Sequence, residues 1–250
     1  MPATLLPNRP YDEIVSTTRG ELRSLSRYIE LTESGMAHAR QAEKAEMEQH
    51  LRESPEENPP ELMCFAMSHL DVHHELVPRA LRHSQLLALY AVLEHQLVEL
   101  CKALRQRDPS LSLKISDLSG TGAIACEIFL TKVVEAKISN WSKIHQLRRL
   151  RNCIAHTNGR IDSLERGKEA VRKIIQADPD LRETDGVLIV TSPFISKAQK
   201  WVSQLFDEAF ENLGLKENPF ALSAPDGFVI QRNEDGAIEV SNGKEVDLPK

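Results

Sequence analysis

Arg79–Arg105, RALRHSQLLALYAVLEHQLVELCKALR, is the stretch that decides the fold. Leu81, Leu87, Ala88, Ala91, Leu97, Val98, Cys101 and Leu104 recur at helical rather than alternating spacing. The run is too long for a strand. Pro78 stands where a first helical turn tolerates proline, and Asp108-Pro109 supplies the stop. A helix this apolar needs other helices to cover it.

Outward from it, the chain keeps the same character. Pro10 to Arg52 reads as one long helix, with Val15, Thr18, Leu22, Leu25, Ile29, Thr32, Met36 and Ala39 along one face. At 1.5 Å per residue it spans roughly 60 Å unless Gly35 bends it. Its second half, Ala37 to Gln49, is weakly amphipathic and reads as a solvent arm or a partner surface. Glu53 to Pro60 is an acidic, proline-rich break, and Glu61 to Leu70 holds a short apolar turn. On the other side, Ser119-Gly120-Thr121-Gly122 is a turn ahead of a third helix, Ala123 to Ala136. It is no phosphate loop, because the lysine and the preceding strand are missing. A fourth helix runs from about Asn140 to His156 with Asn158-Gly159 as its stop, and a fifth covers Asp162 to Gln176. Gly186 to Thr191 is strand-like, and Ser196 to Leu213 is a sixth helix. Phe228-Val-Ile-Gln and Ala237-Ile-Glu-Val flank Asn233-Glu-Asp-Gly236 as a hairpin. The expected fold is therefore all-α: a bundle of about six helices with a long N-terminal helix and a short C-terminal β-like tail. Residues 1–220 form the helical domain, with its core at about 78–176, and 221–250 form the tail.

Composition narrows the function classes. The chain is 41% hydrophobic and 27% charged, with a formal charge of -6, so it is not a basic nucleic-acid coat. A polyanion would need a local patch. Lys143, Arg148, Arg149, Arg151 and Arg160 supply one, although a charge run alone more often marks a solvated face. Cys64, Cys101, Cys126 and Cys153 are scattered without a paired motif, which reads as reduced thiols. With no signal pattern and no apolar run of membrane length, the expected location is the cytoplasm.

The chemistry concentrates in Leu150-Arg151-Asn152-Cys153-Ile154-Ala155-His156. A permanent cation, an amide and a titratable imidazole can hold a phosphodiester and move its protons without a metal. Ile144, Leu147, Leu150 and Ile154 form the buried stripe of this helix, and Arg151 lies beside it. Five residues at about 100° each put His156 some 140° round from Arg151. Unwinding before Asn158-Gly159 is expected to swing the imidazole back. Glu94, on the core helix, needs a partner, and Arg151 or Arg148 is the candidate.

Arg-Asn-x-x-x-His near a helix end, with Leu89 to Leu100 as a preceding core helix, resembles the HEPN superfamily (higher eukaryotes and prokaryotes nucleotide-binding) over roughly Pro78 to Gln176. The resemblance implies a metal-independent endoribonuclease working as a homodimer, with two motif helices meeting at one cleft. It implies His156 as general acid or base, Arg151 as stabiliser of phosphorane charge and Asn152 as the orienting group. Glu94, read from its place on the apolar stripe and not from the resemblance, would support Arg151 or else stand partly exposed at the stripe's edge. The product would carry a 2′,3′-cyclic phosphate, and DNA would not be cut. Lys143, His145, Arg148, Arg149 and Arg160 are the candidate RNA contacts. Such proteins often act as toxins or anti-phage effectors, some with an antitoxin or regulatory partner.

Two other readings stand beside it. Some members of that superfamily only bind, so a non-catalytic helical module for RNA, nucleotide or a protein partner is the alternative. Arg151, Asn152 and His156 would then serve pairing, capping and dipole roles. A zinc hydrolase on His69, Asp71, His73 and His74 is the weakest, because their order differs from that of metallo-hydrolases and no further ligands are obvious later in the chain. No metal and no cofactor are expected. His83 and His95 read as surface or satisfied core residues, and Trp141 and Trp201 as packing residues.

Overall fold

The computed structural model describes residues 9–53, 75–109, 111, 117–120, 122–216, 228–232 and 238–242. Six α-helices occur among them: α1 (Arg9–Glu53), α2 (Val77–Arg107), α3 (Ala123–Ile128), α4 (Trp141–Thr157), α5 (Lys168–Ala177) and α6 (Ser192–Asn212). Four short strands complete the order: β1 (Leu181–Thr184) and β2 (Val187–Val190) between α5 and α6, then β3 (Phe228–Arg232) and β4 (Ile238–Asn242). The all-α class, the long first helix and the late strand pair agree with the sequence. No described helix is long and apolar enough to cross a membrane.

Helix α2 is the centre. It packs on α1, α3, α4, α6 and β2. Leu86, Leu89, Leu93, Leu97, Leu100 and Leu104 are its buried leucines, with Tyr90 and Cys101 beside them. Each such leucine contributes on the order of 1.5–3 kcal/mol. This corrects the stripe inferred from spacing, since Leu81, Leu87, Ala88 and Val98 are only partly buried and Ala91 is exposed. Apolar residues occur nearly all round this helix, so periodicity could not choose a face. On α4 and α1 the pattern was cleaner. Ile144, Leu147, Leu150 and Ile154 are all buried, as are Val15, Thr18, Leu25 and Ile29. Thr18 hides its hydroxyl by donating to Gln96 at 2.9 Å.

Helix α1 runs unbroken through Gly35, and among its residues after Ile29 whose burial is described none is buried. Its Glu33 receives a two-pronged hydrogen bond from Arg82 of α2, at 3.1 Å in each arm. The third helix is shorter than Ala123 to Ala136. It changes to a π-turn at Phe129–Val133, and the chain is then irregular to Ser139, with Glu135 at φ 60°. The fifth begins at Lys168, because Ile161–Ser163 is a separate 3-10 turn.

The strand-like run is half of a hairpin. β1 pairs antiparallel with β2, Leu181 opposite Val190 and Thr184 opposite Val187. Asp185 and Gly186 make the turn, both at positive φ, 49° and 72°, the two-residue geometry that suits strand twist. Charged Leu-Arg-Glu-Thr hid β1 from a hydrophobicity reading, although Asp-Gly was its signal. The tail strands pair as expected, Phe228 opposite Asn242 and Arg232 opposite Ile238. Their connecting turn lies outside the described residues, as do Cys64 and His69 to His74.

Candidate functional site

Helix α4 carries the motif and holds it rigidly. The residue that caps its C-terminus, Asn158, is left-handed at φ 52°, followed by Gly159 at φ 79°. The Asn158 N–H, the Gly159 N–H and the Thr157 hydroxyl all donate to the Cys153 carbonyl, the last two at 3.2 and 2.7 Å. Those bonds satisfy the end of the helix. The unwinding expected at His156 is therefore absent: α4 stays helical through Thr157. Gly159 is required twice over, by its φ and because a Cβ there would stand 2.6 Å from the His83 ring.

With the helix intact, what joins the motif is Asn152. Arg151 lies on the flank facing α2, yet its Nη1 donates to Asn152 Oδ1 at 3.1 Å. Asn152 and His156 are one turn apart, about 40° on the helical wheel, and so share a face. The Arg151 guanidinium thus leans toward the side that carries His156, and the imidazole is exposed. His145 and Arg149 continue the same ridge at helical spacing, opposite the buried stripe of Ile144, Leu147, Leu150 and Ile154.

Helix α2 supports Arg151 from below. The guanidinium carbon sits 5.3 Å from the centre of the Tyr90 ring, within cation–π range. Glu94 Oε2 lies 4.0 Å from Arg151 Nη2. Its Oε1 accepts the Ala123 N–H at 3.3 Å. Glu94 therefore ties α2 to the start of α3 and faces Arg151, the partner the sequence suggested. Both side chains keep about a third of their surface exposed, 34% for Arg151 and 32% for Glu94, so water screens their attraction. Sequence reasoning missed Tyr90, whose signal was its place one turn before Glu94. Its hydroxyl is buried without a hydrogen-bond partner among the described residues. Burial, then the Glu94 charge, push it up to about 12, against the pull of Arg148 and Arg151. Behind it, buried Cys101 and Cys126 are hydrogen-bonded to each other, and that bond with burial holds the Cys101 thiol protonated.

The candidate RNA contacts do not form one patch. Lys143 turns toward α6, 4.9 Å above the Trp201 ring. His145 faces Glu127 at 3.1 Å. Arg148 buries its Nε beside the Tyr90 cluster. Arg149 is exposed on the ridge. Arg160 is exposed, while its main chain bridges to Val187. Trp141, 6% exposed, is a packing residue. His83 is a satisfied core residue, donating from Nε2 to the Leu188 carbonyl at 3.0 Å. Among the described residues no cluster of histidine, cysteine or carboxylate suits a metal ion. An open groove between α4 and α5 is lined on one side by Ser142, His145 and Arg149 and on the other by Glu169 and Lys173. No family model, curated protein or solved structure matches the chain.

Proposed function

We propose that this protein is a metal-independent endoribonuclease of the HEPN type that its motif resembles. The observation that carries the reading is the Arg151–Asn152 hydrogen bond, with exposed His156 one turn further along the same face. A guanidinium offers paired donors to phosphate oxygens, and an exposed imidazole beside it can exchange protons with a ribose hydroxyl. His156 takes the 2′-hydroxyl proton. The 2′ oxygen attacks phosphorus, the bond to the 5′ oxygen breaks, and that oxygen leaves with a proton from water or from the His156 of a second copy. Arg151 meets the charge that grows on the non-bridging oxygens. Tyr90 and Glu94 flank its guanidinium and orient it. The ends formed are a 2′,3′-cyclic phosphate and a 5′-hydroxyl.

Because His156 is open to solvent at the C-terminal end of α4, two copies meeting at that end would place two motifs in one cleft. A homodimer is the assembly in which the site is completed. The resemblance extends to a cytoplasmic toxin or anti-phage role under a regulatory protein. A second reading, binding without cleavage, is favoured by Glu94, since a carboxylate facing Arg151 competes with phosphate for the guanidinium. An RNA cleavage assay in EDTA separates the two. Cleavage that survives chelation and disappears in His156→Ala supports the enzyme. RNA retained uncut by the wild type supports the binding module. Activity abolished by EDTA overturns the metal-independent mechanism.

A further inference from the structure

The groove between α4 and α5 is left over once the motif has been assigned. Arg149 stands on its α4 wall and Lys173 on its α5 wall. Both are exposed, and neither forms a hydrogen bond or ion pair among the described residues. The one acid in the groove, Glu169, faces Arg172 at 3.7 Å, so its charge is partly countered. His145 is engaged by Glu127. The chain as a whole has a formal charge of -6. Two unpaired cations on opposite walls of a cleft, against a single acid, leave the cleft positive in a chain of negative charge, and such a cleft concentrates anions. No motif residue lines the groove, but its α4 wall runs on toward the motif. Arg149, Asn152 and His156 lie on one ridge at helical spacing, so the α4 wall leads from Arg149 to His156 over about 10 Å.

We infer that this groove is the track for a single-stranded RNA backbone, with Arg149 and Lys173 as its phosphate contacts. The identity of the polymer rests on the ribonuclease reading. The walls present charge, the Ser142 hydroxyl, the Gln146 amide and the apolar Ile174; the one aromatic ring among the lining residues is that of His145, which is held by Glu127. The track accordingly grips phosphates and leaves base sequence unread. Because it lies beside the motif, it feeds a strand toward His156 and does not itself take part in cleavage.

The test is fluorescence anisotropy of a short 2′-O-methyl oligoribonucleotide, which cannot be cut, on the full chain. Arg149→Glu and Lys173→Glu should each weaken binding about tenfold and lower the slope of log affinity against log salt by about 0.7 per lost contact. Arg149→Gln and Lys173→Gln should move the same way by less, with unchanged circular dichroism. Lys200→Glu, an equal charge change on exposed α6, should leave affinity within twofold of wild type apart from a small general charge effect. Equal weakening by Lys200→Glu, or no weakening by either groove variant, overturns the track. Preference for an acidic peptide over the oligonucleotide overturns the RNA assignment. Binding that needs Arg149 and Lys173 while unmodified RNA stays intact upholds the track and sinks the nuclease. Cleavage untouched by both groove variants does the reverse.

Discussion

The two faces of α4 obey different rules. One carries Ile144, Leu147, Leu150 and Ile154, every one buried against α2 and α6. The other carries His145, Arg149, Asn152 and His156, none of them buried. Apolar burial accounts for the first face completely, because it supplies most of the folding free energy. It says nothing about the second. Exposed polar groups and ion pairs contribute about 0–1 kcal/mol each. A protein seeking stability alone has no use for an arginine, asparagine and histidine arranged there, so the exposed face is where function is to be sought.

Substitutions on the two faces should separate activity from stability. The largest effect belongs to the exposed face. His156→Ala should reduce RNA cleavage about 10²–10⁴-fold, while urea denaturation moves by no more than about 0.5 kcal/mol. A comparable loss of stability would mean that the face is structural after all. Leu150→Ala on the buried face should cost about 2–5 kcal/mol of unfolding free energy, read from the same denaturation curve.

Gly122→Ala sharpens the comparison at the junction of α2, α3 and α4. Gly122 has φ 56°, and a Cβ on it would run into Glu94 Oε1. Glu94 must then give up its hold on Ala123 and its place beside Arg151. The expected cost is about 1–3 kcal/mol, together with a change in cleavage that Leu150→Ala does not produce at matched folded fraction. If cleavage is unaltered, Glu94 does not position Arg151.

The smallest effect is a pH dependence from the core. Burial holds the His83 imidazole below its usual value of 6.5, its bond to Leu188 pulls it back up, and Arg79 pushes it further down. Unfolding frees it to protonate, so just below that value the unfolded chain binds more protons. Its contribution is complete above pH 6.5 and is lost as pH falls through 6.5 toward the depressed folded value. Denaturation at successive pH values should show this slope, and His83→Gln should flatten it. An unchanged slope in that variant would place the titration elsewhere.

How far the site could be read in advance varied with the kind of interaction. The Arg151–Asn152–His156 motif lies on one helix, so helix geometry set its faces. The Glu94–Arg151 contact was legible because a carboxylate on a largely apolar helix demands a partner. Tyr90, Lys173 and the α4–α5 groove were not legible, since they depend on which helices become neighbours. The same limit explains the α2 stripe. An all-round apolar helix leaves its buried face to be chosen by five packing elements.

Local rules within the sequence determined that the chain is helical, where α4 begins and stops, and that a cation, an amide and an imidazole share its last turns. Repeating apolar spacing, the Asn158-Gly159 stop and an intact helical pitch act over a few residues and need no distant partner. Only the tertiary structure decided that Tyr90 and Glu94 sit beneath Arg151, that Gly122 abuts Glu94 and Gly159 abuts His83, and that Arg149 and Lys173 line one groove. Those depend on atoms far apart in the chain meeting at contact distance, and close packing of the whole core sets such distances.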